Sequence, residues 1–288
     1  MGQGTGQVKQ QPAQSAGRSG IRKHHIIVSF TTTSSRIKYI NQMVRSLYQQ
    51  SMVPNEIYMW ISKEPFLHDE GIPPEEIPKK LQKLANFEDS HFNIRYTENV
   101  AGYRKLLPIL EENKNRDDVV IITADDDIIY PERWLENLYQ QFIKDNCIIA
   151  CRARKITYSE DGTLIPYESW PLLNSWDYHK ELQLCPTGNA GVLYLPAFFD
   201  DRIFDPVFKT LSPTRADFWY AANAIVNNVL TRHIPSTKPM PELGYRVEFP
   251  AIRVPVEVKN NWNRLYETNR PKNDEYAKKV FKHFSIIN

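Results

Sequence analysis

Three consecutive carboxylates, Asp125, Asp126 and Asp127, are the residues of this chain whose types and spacing point most directly to chemistry. Like charges this close stay ionised together only when a cation or strong hydrogen-bond donors compensate them. A divalent metal, Mg²⁺ or Mn²⁺, is the economical partner, because hard cations take carboxylate oxygens. All three are candidate metal ligands. The triplet follows Val119–Ile122, four β-branched apolar residues that read as a strand buried on both faces. In open α/β sheets ligands bind outside the carboxyl ends of the strands, which is where the triplet falls. The alternative is an acidic turn that caps a helix opening at Pro131, although one cap needs one aspartate and not three. If the strand ran on, Asp125 and Asp127 would share a face and Asp126 would point elsewhere; which of them meets a metal is open.

The elements needed to position the triplet can be read on both sides of it. Ile26 to Phe30 make a first strand, followed by the hydroxyl-rich run Thr31, Thr32, Thr33, Ser34 and Ser35. Ile37, Ile40, Val44 and Leu47 then recur at helical spacing, with Ser35 as a fair N-cap. Thr31, Thr32 and Arg36 stand where a nucleoside or its phosphates would meet hydroxyls, backbone N–H groups and a helix N-terminus; simple capping would also explain the hydroxyls. A strand fits Glu56 to Ile61, a loop carrying Pro65, Pro73, Pro74 and Pro78 leads into a short helix over Lys79 to Asn86, and Phe92 to Tyr96 reads as a third strand. Leu106, Leu107 and Leu110 mark another helix before the acidic strand. Strands alternating with helices predict an α/β, mostly parallel, doubly wound sheet.

After the triplet, Trp134, Leu135, Leu138, Tyr139, Phe142 and Ile143 predict an amphipathic helix, and Cys147 to Arg152 a strand. The pattern then changes. A hairpin is expected at Glu160-Asp161-Gly162, followed by an aromatic stretch with Tyr167, Trp170, Trp176 and Tyr178. In PTGNAGVLYLP, Gly188 and Gly191 allow close backbone approach or a plain turn before a strand over Val192 to Leu195. A further helix carries Asp217 in its first turn, where a carboxylate is either a catalytic base or an ordinary cap. Asn273 and Asp274 mark the start of the last helix. Trp170, Trp176 and Trp219 offer flat faces for a sugar, although indole rings in cores are the commoner use.

Composition narrows the classes. A chain of 288 residues with 41% hydrophobic and 24% charged residues builds an ordinary globular core, and a net charge of +2 gives no broad footprint for nucleic acid. Three cysteines, Cys147, Cys151 and Cys185, cannot all pair and lack zinc spacing, which suits a reducing, cytoplasmic compartment. No apolar run reaches a membrane span, so any membrane contact is expected to be peripheral. Residues 1–24, rich in Gly, Gln and Ser, read as a disordered arm or a remnant. Residues 25–288 read as one domain, with 25–150 the nucleotide half and 151–288 the acceptor half.

Taken together, the hydroxyl-rich loop after the first strand, ITADDDIIYP, PTGNAGVLYLP, RADFW and NRPKND resemble the bacterial, family-2-like glycosyltransferases of the GT-A fold, over nearly all of the chain from His25 onward. The resemblance implies a nucleotide-sugar donor, most readily a UDP-sugar, and a divalent cation on the acidic triplet. It also implies an inverting transfer to a glycan acceptor, possible lipid linkage included, in the synthesis of a surface polysaccharide such as capsule or lipopolysaccharide. By family position Asp217 is the base, and Thr31, Thr32, Arg36, Lys105, Asp125, Asp126, Gly188 and Asn189 hold the donor. Asn269, Asn273 and Asp274 either close over the diphosphate or cap the last helix. Family members often carry two acids before the aromatic where this chain reads Arg215-Ala216-Asp217-Phe218-Trp219, so Asp217 alone takes the role. Two other readings compete: a Mg²⁺-dependent nucleotidyltransferase, disfavoured because the first loop is hydroxyl-rich with Arg36 as its only base, and a non-catalytic sugar-binding protein of the same fold.

Overall fold

The computed structural model describes residues 24–87, 90–173, 179–234 and 270–288. The expectations for residues 1–23, Trp176, Tyr178 and Asn269 lie outside these, as does the side chain of Asn189.

The first half alternates as the sequence pattern requires. It runs β1 (His25–Thr31), α1 (Asn41–Tyr48), β2 (Glu56–Ile61), α2 (Lys79–Ala85), β3 (Phe92–Tyr96), α3 (Leu107–Asn113), β4 (Val119–Asp125) and α4 (Trp134–Asp145). Then come β5 (Ile148–Ala150), β6 (Ala153–Lys155), β7 (Lys180–Glu181), β8 (Leu184–Pro186), β9 (Val192–Tyr194), α5 (Phe208–Leu211), α6 (Ala216–Val226), β10 (Thr231–His233) and α7 (Asn273–His283). Among the described residues the main sheet has the order β3-β2-β1-β4-β9-β5-β10-β7, with β6 and β8 forming a separate pair. β1, β2, β3 and β4 are mutually parallel. β9 runs antiparallel between β4 and β5, while β10 is parallel to β5. The sheet is thus mostly parallel and covered by helices, which is why Val119–Ile122 is wholly buried and uniformly apolar.

The parallel register of β1 and β4 places Thr31 opposite Asp125, so the first loop and the acidic turn leave the sheet side by side. Four local expectations change. Ser35 caps no helix: one 3₁₀ turn, Ile37–Tyr39, precedes α1, and neither start carries a side-chain cap. α4 begins at Trp134 rather than at Pro131, because the Pro131 carbonyl closes a turn with Trp134 N at 3.0 Å. Its residue Ile143, counted with the apolar stripe, is half exposed. The strand expected over Cys147 to Arg152 stops at Ala150; Cys151 N still reaches Gly191 O at 3.2 Å, after which the chain leaves the sheet to form β6. The hairpin at Glu160-Asp161-Gly162 forms as expected, with Gly162 at φ +81° and a bridge between Tyr158 and Leu164.

Candidate active site

Asp125 ends β4 as a strand residue, and Asp126 and Asp127 lie in the turn beyond it, so strand alternation governs only the first of the three. The Asp125 backbone N–H donates to the Tyr130 hydroxyl at 2.8 Å, which ties the start of the turn to its end. Tyr130 packs on Trp134 with ring centres 4.1 Å apart, and the Trp134 indole donates to Ala190 O at 2.9 Å. This aromatic pair joins the acidic turn to the 3₁₀ turn Gly188–Ala190, which carries Asn189.

Each acid meets a cationic or hydroxyl partner from another loop. Thr32 Oγ1 donates to Asp126 Oδ2 at 2.6 Å. Arg36 Nη2 sits 2.6 Å from Asp126 and 2.5 Å from Asp127, a charge contact without hydrogen-bond alignment. Lys105 Nζ lies 2.6 Å from Asp125 Oδ1. Burial works against the charge of Arg36, but Asp126, Asp127 and Asp125 outweigh it and hold its pKa above the ordinary value. Burial likewise opposes the Lys105 ammonium, and Asp125 and Asp217 override it. On the acid side burial dominates: the Asp126 carboxyl is pushed up against the pull of Arg36 and Thr32, and Asp127 is pushed up to about 6 despite Arg36. At Asp127 burial therefore outweighs the ion pair with Arg36.

Lys105 also connects the triplet to Asp217. A Cβ added at Gly188 would stand 2.4 Å from Lys105 Nζ and 3.5 Å from Asp217 Oδ1, so the three groups converge and only glycine leaves room for the ammonium. Asp217 lies in the first turn of α6. Burial raises its pKa, and Lys105, Arg215 and a hydrogen bond from the Gly188 backbone pull it back down. The structure thus gathers Thr32, Arg36, Lys105, Asp125, Asp126, Asp127, Gly188 and Asp217 at one end of the sheet. Thr31 stands beside them, but its hydroxyl donates to Trp60 O at 2.8 Å. Trp170 and Trp219 are core residues, 1% and 0% exposed, with indoles donating to Ile165 O and Ile203 O. Asn273 is buried within the first turn of α7, and Asp274 accepts from Tyr167 N at 2.7 Å.

Sequence reasoning missed a buried network behind the first loop. Arg104 Nη2 contacts Asp69 Oδ2 at 2.9 Å and donates to Thr32 O at 3.2 Å. Asp69 also accepts from Ser34 N at 2.9 Å and from Asn99 Nδ2 at 3.1 Å. Arg104 and Lys105 end the same 3₁₀ turn, Ala101–Lys105, one steadying the loop that bears Thr32 and Arg36 and the other reaching Asp125. Apart from the Gly71 N–H, which donates to it at 3.3 Å, the side-chain partners of Asp69 lie about thirty or more residues away, so its local turn does not announce the network.

The acid oxygens suit a hard divalent cation. Among the described residues no three His, Cys, Asp or Glu side chains form a metal cage. Mg²⁺ is commonly held by one or two carboxylates together with substrate phosphates, so this donor set fits such an ion.

The sequence model of glycosyl transferase family 2 matches residues 26–202. No curated protein matches the chain. Among solved structures, Staphylococcus aureus TarS 1-349 in complex with UDP is similar, at 14% identity and a TM-score of 0.45 over 90% of this chain and 72% of that one. A second crystal structure of S. aureus TarS 1-349 gives 15% identity and a TM-score of 0.42, again over 90% and 72%. A 4-diphosphocytidyl-2C-methyl-D-erythritol synthase matches at 8% identity and a TM-score of 0.37, over 61% of this chain and 76% of that one.

Proposed function

We propose that this chain, which belongs to glycosyl transferase family 2 and is a glycosyltransferase of the GT-A fold, moves a sugar from a UDP-sugar to a glycan acceptor with inversion, in the synthesis of a bacterial surface polysaccharide. The observation that carries the reading is the placement of Lys105 between Asp125 and Asp217, beside a glycine whose backbone alone fits there. One site then holds both the acids that face a donor's diphosphate and a carboxylate that faces an acceptor.

Asp217 takes the proton from the acceptor hydroxyl as it attacks the anomeric carbon. Burial makes this carboxylate more basic, and Lys105, Arg215 and the Gly188 N–H pull it toward the ionised form and orient it. Asp126 is held by both Thr32 and Arg36, which leaves Asp125, the most exposed of the three side chains at 29%, and Asp127, which shares Arg36 with Asp126, as the pair to hold Mg²⁺ or Mn²⁺. A cation held there supplies neutralisation of the departing diphosphate. The Arg104–Asp69 pair keeps the loop of Thr32 and Arg36 against the acidic turn. A nucleotidyltransferase would need free basic groups after β1 to grip a triphosphate, and the one base there, Arg36, is held by two carboxylates.

The test is a thermal-shift screen of UDP, GDP, CDP and CMP, each with Mn²⁺, Mg²⁺ or EDTA, followed by a donor-hydrolysis assay. Ligand at a hundred times its Kd adds about 2.7 kcal/mol of stability. Stabilisation by UDP that needs metal and is lost in Asp127→Asn is the expected result. No shift with any nucleotide, together with no hydrolysis, would overturn the reading in favour of a non-catalytic sugar-binding protein.

A further inference from the structure

A second group of charges borders Asp217, and it is basic. Arg152 stands beside Thr187, the residue before Gly188: its Nη1 donates to Thr187 Oγ1 at 2.7 Å and its carbonyl accepts from Thr187 N at 2.9 Å. Among the described residues Arg152 forms no ion pair. Burial lowers its pKa, and repulsion from Arg154 adds to the effect, against partial relief from Tyr167 and Asp217. Arg154 follows at the i+2 position, which on an extended run shares a face. It donates to Trp170 O at 2.7 Å and lies 4.9 Å from the centre of the Tyr167 ring, with the Glu168 carboxylate at 3.9 Å and a buried Nε that has no partner. Arg215, two residues before Asp217, makes no side-chain hydrogen bond or ion pair among the described residues, and its Nε is also buried and unpartnered.

Among the described residues the remaining charges nearby do not balance this group. Lys155 and Glu181 neutralise each other at 2.8 Å, and Asp217 is shared with Lys105. Among the described residues three guanidinium groups therefore face one distant glutamate and a share of one aspartate. All three side chains are half-buried, and partly buried charges left without partners are costly. The guanidinium fork matches carboxylate and phosphate oxygens in particular. In the reading proposed above, on which this inference rests, the donor's diphosphate is held at the acidic turn on the other side of Lys105. The molecule that brings its hydroxyl to Asp217 is the acceptor.

We infer that the acceptor is anionic, and that a carboxylate or phosphodiester close to its attacking hydroxyl seats against Arg152, Arg154 and Arg215. Uronic-acid glycans and phosphodiester-linked polyols both carry such a group.

The experiment uses the full chain saturated with UDP and Mn²⁺, so that the donor site is filled. Trigalacturonic acid, a glycerol phosphate trimer and neutral maltotriose are titrated by calorimetry into wild type, Arg152→Met, Arg215→Met and Arg152→Lys. One of the two anionic probes is expected to bind at least tenfold more tightly than maltotriose, and which one tells carboxylate from phosphodiester. Each methionine variant is expected to weaken that binding at least tenfold, Arg152→Lys to recover most of it, and UDP affinity to stay within twofold throughout, which also shows that the variants are folded. Equal binding of charged and neutral probes, or anionic binding unchanged in the variants, overturns the inference. If the methionine variants lose UDP instead, the arginines grip the donor diphosphate, and the inference fails while the glycosyltransferase reading stands. A wild type that binds no UDP with either metal removes that reading and the inference together.

Discussion

Gly188→Ala separates catalytic geometry from stability. The new Cβ would lie 2.4 Å from Lys105 Nζ, so the ammonium must give by about an ångström to reach ordinary contact. It is the far end of a flexible side chain, and Gly188 has no positive φ, so folding loses little, under about 1 kcal/mol. The ion pair loses more. In an effective dielectric of about 20, stretching the Lys105–Asp125 contact from 2.6 Å to about 3.6 Å sacrifices roughly 1–2 kcal/mol of Coulomb energy. Since that pair also steadies Asp217, kcat/KM should fall about 5- to 30-fold. Gly191→Ala is the control with the opposite signature. Its φ is +99°, and the Cβ would meet the buried Trp134 indole at 2.5 Å. Strain at positive φ and overpacking together cost about 2–4 kcal/mol, a drop of roughly 5–15 °C in Tm for a chain of this size. The assay is donor hydrolysis alongside thermal melting of both variants. The reasoning is refuted if Gly188→Ala keeps wild-type kcat/KM, or if both variants lose the same Tm.

The raised Asp127 carboxyl has a stability consequence whose sign follows from linkage. A folded pKa of about 6, above the ordinary aspartate value, favours the protonated form, so that the stability it brings is complete at low pH and lost as pH rises through about 6. Asp127→Asn should therefore raise Tm at pH 7.5 in EDTA and bring little gain at pH 4.5; an equal gain at both refutes this assignment. With Mn²⁺ present the ranking should reverse, because wild type alone gains the cation. For Asp217, the acid limb of the kcat/KM profile should lie above the ordinary aspartate range, and Lys105→Met should move it higher, since Lys105 is the largest influence pulling that pKa down; a limb that stays put points to another base. Arg104→Met leaves Asp69 buried without its cation and should cost about 3–5 kcal/mol in urea unfolding, with part recovered in the double variant Asp69→Asn/Arg104→Met.

Periodic segments could be read closely from sequence. Glu56–Ile61 and Phe92–Tyr96 form strands over the residues their apolar patterns mark, and the triplet stands at the expected strand end. Asp217 was placed in a first helical turn and lies there. What could not be read depends on contacts far apart in sequence. Nothing in VLY announces that β9 inserts between β4 and β5, because a three-residue apolar run carries no address. The hydroxyl of Thr31 points to a neighbouring strand's carbonyl although its type suited a ligand loop. Arg152, Arg154 and Arg215 are ordinary residues until β6, β8 and α6 fold against one another.

The insertion of β9 bears on how the chain is made. While β1 to β4 can assemble in order as they emerge, one edge of β4 stays bare until Val192–Tyr194 has left the ribosome. That is roughly seventy residues later, or about 4–14 s at ordinary rates of synthesis. The exposed edge is a run of Val and Ile with unpaired backbone groups, the kind of template that recruits other chains. The strand that carries the acids is therefore also the nascent chain's most adhesive surface, and slowing translation between Asp125 and Val192 should lower the soluble yield before any change in the finished enzyme is measurable.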